Sequence, residues 1–319
     1  MQVEQVKKLT RQMKIEKVFH GLTILCSSLV LVIMLLMFFQ LIYNSRLSIQ
    51  EFGINFIFSS TWNPATHEYG ALASIYGTVI STLIALIIAV PMGIIIALFL
   101  VEISHPFLSK VVGNAIELLA AIPSIIYGMW GLFVFSPFLA DYIQPFLIDH
   151  LGDKPLIGRL FQGAPMGIGM LSAGLILALM ILPFITAVTR DVFRMVPSVI
   201  KESSYGMGST TWEVTRKITI PYGIKGVVGA CFIGLGRALG ETMAVTFVIG
   251  NSNIISPSLM DPAASIASTL ANEFGEASEP IYLHSLMQLG LILLIMTFII
   301  QLLAQLWVGR IKKSMGAGL

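Results

Sequence analysis

The sequence predicts an all-α membrane protein with six transmembrane helices and both termini in the cytoplasm. Three observations carry this reading. Of 319 residues, 56% are hydrophobic and only 11% charged, and the mean hydropathy is +0.86; ordinary soluble domains carry about 25% charge. The apolar residues fall in long runs free of Asp, Glu, Lys and Arg, and a helix needs about 20 such residues to cross a bilayer. The basic residues crowd into alternate connections. This composition excludes a soluble enzyme, a disordered protein and a nucleic-acid binder. The runs are continuously apolar, not alternating, which excludes an outer-membrane barrel and leaves helices to satisfy the backbone.

The elements follow in chain order. Residues 1–17 form a basic, cytoplasmic segment with Lys7, Lys8, Arg11, Lys14 and Lys17. The run Val18–Ser45 predicts a first transmembrane helix over 18–44. It is longer than a signal-peptide core of about 7–15 residues, and no small-residue cleavage site follows, so it reads as a retained span. An outer segment, Asn44–His67, contains Trp62 and the turn pair Asn63-Pro64. The permease core then runs over 70–308, with spans at about 72–101, 112–139, 166–189, 223–250 and 284–308.

Pro91 and Pro123 lie within two of these spans. They either kink helices toward a cavity or are absorbed by packing. Glu117 reads as an interfacial carboxylate at the start of the third span, where it suits the helix dipole. The outer segments Asp141–Arg159 and Ser252–Glu279 are modest; the second holds the turns Ser256-Pro257 and Asp261-Pro262. A tail over 309–319 ends the chain in the cytoplasm.

Charge fixes the orientation. Lys110, Arg190, Arg194, Lys201, Arg216, Lys217 and Lys225 share one side with the basic N-terminus and with Arg310, Lys312 and Lys313. The other side holds only Arg46, Lys154 and Arg159, against Glu51, Glu68, Asp141, Asp149, Asp153, Asp261, Glu273, Glu276 and Glu279. Dropping the fifth span would put the Arg310 tail outside, against the bias of basic residues toward the cytoplasm.

Catalytic motifs are missing from the sequence. It has no G-x-x-x-x-G-K-S/T loop, no H-E-x-x-H and no G-x-S-x-G elbow, and its five histidines are scattered. Cys26 and Cys231, both in apolar runs, offer no disulfide framework. The chain reads as non-catalytic and metal-free. It shows no clear internal repeat of the kind that marks secondary carriers.

The fifth span carries two charges. Gly234-Leu235-Gly236-Arg237-Ala238-Leu239-Gly240-Glu241-Thr242 puts Arg237 and Glu241 four residues apart, so on one helix they share a face and can pair. A charge inside a bilayer costs about 2.5–3.5 kcal/mol on insertion scales, so it normally faces a cavity or a partner. The pair is either an internal salt bridge or a guanidinium in an aqueous path, suited to oxyanions by its two parallel donors. Thr78, Ser81, Thr82, Thr242 and Thr246 either add donors or bond back to their own helices.

The connection 190–222 reads as a helix–turn–helix on the inner face. Pro197 opens a helix, Gly206 and Gly208 turn the chain, Ser209 or Thr210 caps a second helix through Lys217, and Pro221 ends it. Composition alone favours an ordinary connecting loop with a solvated charge pattern. Its spacing, however, resembles the EAA loop of type I ABC importer permeases: E-A-A, three residues, G, nine residues, I-x-L-P. Here Glu202-Ser203-Ser204 precedes Gly208, then Ile218, Ile220 and Pro221. Both alanines are serine and the leucine is isoleucine.

RALGETMAVTFVIGN (237–251), AAIPSIIYGMWGLFVF (120–135), VPSVIKESS (196–204) and the region from Trp62 to Thr78 extend the resemblance to the permeases of phosphate importers in that family. It implies the type I importer permease fold and a role as half of a phosphate pathway. Arg237, Glu241 and Thr242 would line that path, and Glu202, Ser203, Ser204, Gly208, Ile218 and Pro221 would couple to the ATPase. The implied partners are a PstA-like permease, two PstB-like ATPase subunits that use ATP and Mg, and a PstS-like phosphate-binding protein. Another oxyanion (sulfate, molybdate, phosphonate), an ion-driven carrier and a membrane sensor are the competing readings.

Overall fold

The computed structural model describes residues 2–316 except Leu156, with side chains described between Glu16 and Leu306. The side chains of the first fifteen residues, those from Trp307 onward, and residues 317–319 lie outside this description, so the basic clusters of both ends do too. The described chain is helical, with no strand and two isolated bridges, Asn63 with Glu68 and Gly250 with Ala263. Six helical stretches are long and apolar enough to cross a membrane: Glu16–Asn44, Leu72–Ile103, Ser124–Leu151, Met170–Arg194, Thr211–Leu239 and Pro280–Leu306.

Helix α1 (Gln2–Asn44) stands at the edge. None of its apolar window is buried, as expected of a helix whose surroundings are lipid on nearly all sides. Its end turns at Ser45 into α2 (Arg46–Phe52) and α3 (Asn55–Phe58). Ser48 of α2 is the anchor there. It donates to Gln288 Oε1 at 2.5 Å and accepts from Ser285 Oγ at 3.1 Å. Phe56, Tyr69, Tyr282, Leu286 and Leu289 bury a second apolar cluster below it.

The core is a pair of helices, α4 (Leu72–Leu98) and α9 (Met170–Arg194), packed along their lengths. The buried face of α4 is built of small residues: Ala73, Gly77, Ser81, Ala85, Ala89, Gly93 and Ala97. Such a stripe lets backbones approach, which is how helices gain contact where lipid removes the hydrophobic drive. α9 is central, with 67% of its apolar window buried. Pro91 and Pro183 both lie inside intact helices, so here they are absorbed by packing.

The third span departs from the predicted 112–139. Residues 106–120 form a separate amphipathic helix, α5 (Pro106–Ala120), which turns Ser109, Gly113 and Ile116 inward against α9. Pro123, extended at ψ 137°, ends that run. It lacks an N–H and bars the preceding residue from helical geometry. The span proper begins at Ser124 and continues through α6 (Ser124–Trp130), α7 (Ser136–Phe138) and α8 (Gln144–Leu151), joined by π-helical turns at Gly131–Phe135 and Leu139–Ile143. Asp141, assigned to an outer loop by sequence, is therefore helical. Glu117 sits near the end of α5, not at the start of a span.

After α9 the chain forms α10 (Ser198–Gly206) and α11 (Thr211–Val214), then a π-helical turn at Thr215–Thr219 and α12 (Ile220–Leu239). Pro221 does not end the second short helix. It occupies the first turn of α12, where its missing N–H is least costly, and the π turn before it relaxes the ladder.

The fifth span, expected over 223–250, breaks after Leu239 and resumes as α13 (Met243–Val248). The segment 252–279 is not a simple outer loop. Its residues Met260, Ala263, Ala264 and Ile266 are buried, and α14 (Ile266–Glu273), capped by Ser265, packs against α4 and the last helix, α15 (Pro280–Gly316).

Candidate functional site

Two places carry the chemistry: the break in the fifth span and the loop at the opposite end of α12. Arg237 lies in the last turn of α12, where a cation suits the carbonyl end of the helix. It is half-buried. Its Nε is fully buried without a hydrogen-bond partner, and no carboxylate among the described residues lies within ion-pair distance. Gln301 of α15 packs on the backbone of the adjacent Gly236.

The expected Arg237–Glu241 pair is not made. The shared face required a continuous helix, and α12 ends at Leu239. Gly240 follows as its C-cap, at φ −94° and ψ 4°. Glu241 turns the other way, and its Oε1 accepts from Ala244 N–H at 3.1 Å. It thus caps α13, because a carboxylate satisfies the free donors at a helix start. Thr242 is half-buried beside it and donates to Gly240 C=O at 3.4 Å, while Thr246 donates to Thr242 C=O at 2.7 Å.

Thr78 and Ser81 likewise bond back to Ser74 and Gly77. Thr82 Oγ1 is buried and unpartnered. The break thus leaves a guanidinium that no described carboxylate pairs with, and a guanidinium can bind an oxyanion through two parallel donors.

At the loop, Glu202 and Ser203 of α10 are exposed and Ser204 is buried, donating to Ser209 Oγ at 3.0 Å. Gly208 holds φ at +89°, a left-handed turn that costs an L-residue about 1–2 kcal/mol. Thr210 caps α11 in a capping box with Glu213. Ile218 is half-buried within the π turn and Pro221 is exposed. Val199, Tyr205, Met207 and Trp212 present apolar surface outward, the composition of a docking face rather than a solvated loop.

Sequence reasoning missed the ion pairs behind this loop. Lys201 Nζ lies 2.6 Å from Glu102 Oε1, with side chains 15% and 5% exposed, and the same oxygen accepts from Thr219 Oγ1 at 2.9 Å. Arg190, 4% exposed, holds Glu117 at 2.5 Å and Asp191 at 3.0 Å. Gly113 has no side chain because the Arg190 guanidinium passes where one would sit, 2.2 Å from an added Cβ. Asp191 is the chain neighbour of Arg190, but Glu117 and Arg190 are 73 positions apart and Glu102 and Lys201 are 99 apart, so local spacing gives no signal for those two pairs.

The chain is thus a multi-pass helical bundle with an interrupted span and a two-helix loop between α9 and α12. The family profile of binding-protein-dependent transport system inner membrane components matches residues 89–316. The phosphate transport system permease protein PstC of Xylella fastidiosa is 53% identical over 277 residues, covering 87% of this chain and 85% of that protein. Its namesake in Haemophilus influenzae is 47% identical over 310 residues, covering 97% and 98%. Among solved structures, a bacterial alginate ABC transporter in complex with its alginate pentasaccharide-bound periplasmic protein aligns with a TM-score of 0.59 at 17% identity, over 86% of this chain and 89% of that one. The chain belongs to the inner membrane component family and, within it, to the group of PstC permeases.

Proposed function

We infer that the chain is a membrane permease subunit of an ATP-driven phosphate importer and forms half of its pathway. The observation that carries this is Arg237, a guanidinium without a carboxylate partner among the described residues, at the break of a span, in a chain about half identical to PstC permeases. Supporting it, the 190–222 loop offers an exposed apolar face beside Glu202 and Gly208.

In this reading the other half is a PstA-like permease. Two PstB-like ATPases, using ATP and Mg, dock on the loop, and a PstS-like protein delivers phosphate from outside. The chain itself performs no chemistry. It sits in the inner membrane of a prokaryote with both termini in the cytoplasm, an orientation the distribution of basic residues supports. ATP binding closes the ATPase dimer, the loop moves as a lever, and the pathway opens outward. Arg237 lowers the barrier for an anion in a low-dielectric path. It holds phosphate weakly enough for release after hydrolysis.

The test is Arg237→Ala in the assembled complex. Phosphate uptake falls by about tenfold or more, the scale of one lost charged hydrogen-bonding group, while the subunits still co-purify. Full uptake with normal assembly would remove Arg237 from the pathway.

A further inference from the structure

We propose that Glu102 is the positioning residue that ties the loop helix to the membrane bundle, so that motion of α10 reaches two spans through one carboxylate oxygen. The proposal rests on the importer reading and assigns a role that no motif in the loop itself contains.

The geometry is specific. Glu102 lies in a π-helical turn, Phe99–Ile103, that closes the second span. Its Oε1 takes Lys201 Nζ from α10 at 2.6 Å and Thr219 Oγ1 from the foot of the fifth span at 2.9 Å. Thr219 is fully buried and also lies in a π-helical turn, Thr215–Thr219. Three elements therefore meet at one atom, and two of them reach it through π turns, which recur where helices adjust at functional sites.

Little else holds α10. Its only extended helix packing among the described residues is with α11. Beside the ion pair, a groove of about 670 Å³ separates α11 from the end of α4, lined by Leu98, Phe99, Ile103 and Trp212. A docked partner that pushes on α10 thus loads the Lys201–Glu102 ion pair, whose carboxylate lies at the wall of this groove. A buried pair is a stiff link, because separating the charges leaves each unpaired in a low dielectric. From Thr219, α12 runs as one helix to Arg237, about 27 Å away at 1.5 Å per residue. Glu102 thereby joins the loop to the residue that faces the anion.

The experiment uses the purified complex in proteoliposomes with the loaded binding protein. It reads labelled phosphate imported per ADP formed, together with the amount of complex that assembles. Glu102→Gln and Lys201→Met each lower the ratio by roughly tenfold, as expected for loss of a coupling contact. The double variant is no worse than either single one, because both remove the same link. Thr219→Val, near-isosteric and uncharged, lowers the ratio by a smaller factor and keeps the test open if a charge variant does not assemble.

An unchanged ratio, with or without less complex, would reduce Glu102 to a folding staple and overturn the proposal. Losses that add in the double variant would overturn the shared link as well. A wild-type complex that imports no phosphate would instead overturn the importer reading, and this role with it.

Discussion

Arg237 and Glu241 were both visible as charges in an apolar run. Their relation was not, because i to i+4 pairing presumes the helix continues. The helix ends at Leu239, and Ala244 N–H at the start of α13 claims the carboxylate at 3.1 Å. Glu241→Ala should therefore act as loss of a cap, lowering stability by about 1 kcal/mol. Thermal unfolding of the purified complex reads this as a lower Tm, and an unchanged Tm would contradict the cap. The back-bonding of Thr78, Ser81 and Thr246 is the local chemistry that isolated hydroxyls favour.

Gly208 is a different case. Open space surrounds an added Cβ there, and only φ, at +89°, opposes a side chain. Gly208→Leu should strain the turn by about 1–2 kcal/mol and cut co-purification of the ATPase, with the membrane level of the chain kept. Normal ATPase binding and uptake would sink the coupling role of this turn.

At the scale of elements, hydropathy located the spans but not their breaks. Pro123 was legible as a proline in an apolar run, yet only the structure separates α5 from the span behind it. The cause is that α5 pays for its exposed face by packing Ser109, Gly113 and Ile116 on α9, a gain no local pattern records. The packing of segment 252–279 is hidden for the same reason. Its prolines and polar residues look like loop, but Ala264 C=O lies against Gly77, 2.1 Å from where a Cβ would stand, and Ile266 N–H donates to Thr78 Oγ1 at 2.9 Å.

Gly77→Val should push this segment off α4 and destabilise the protein by about 1–3 kcal/mol, the range for overpacking. A lower Tm and a reduced yield of folded protein are the expected readouts. A wild-type Tm would mean that the segment moves aside freely. The loop from Pro197 to Thr210 was the most legible element, because Pro, Gly and capping residues act locally. Its anchor on Glu102 was hidden by distance in sequence.

At the scale of the whole molecule, six stretches able to cross a bilayer were readable from composition and run length alone, because lipid leaves a long apolar helix few alternatives. What the single chain cannot contain is the other half of a pathway. Large apolar side chains such as Leu118, Phe133 and Ile233 remain exposed, to be covered by lipid or by partner subunits. Arg237 alone supplies a donor fork that suits any oxyanion, so the substrate rests on transport rather than on geometry.

The most direct measurement is uptake of radiolabelled phosphate by cells lacking their own high-affinity system. The neighbouring subunits are expressed with or without this chain, and excess sulfate or molybdate is added as competitor. The importer reading predicts uptake that requires this chain and ATP and is indifferent to both competitors. Uptake that is absent, or abolished by a competitor, would contradict it and assign the pathway to a different oxyanion.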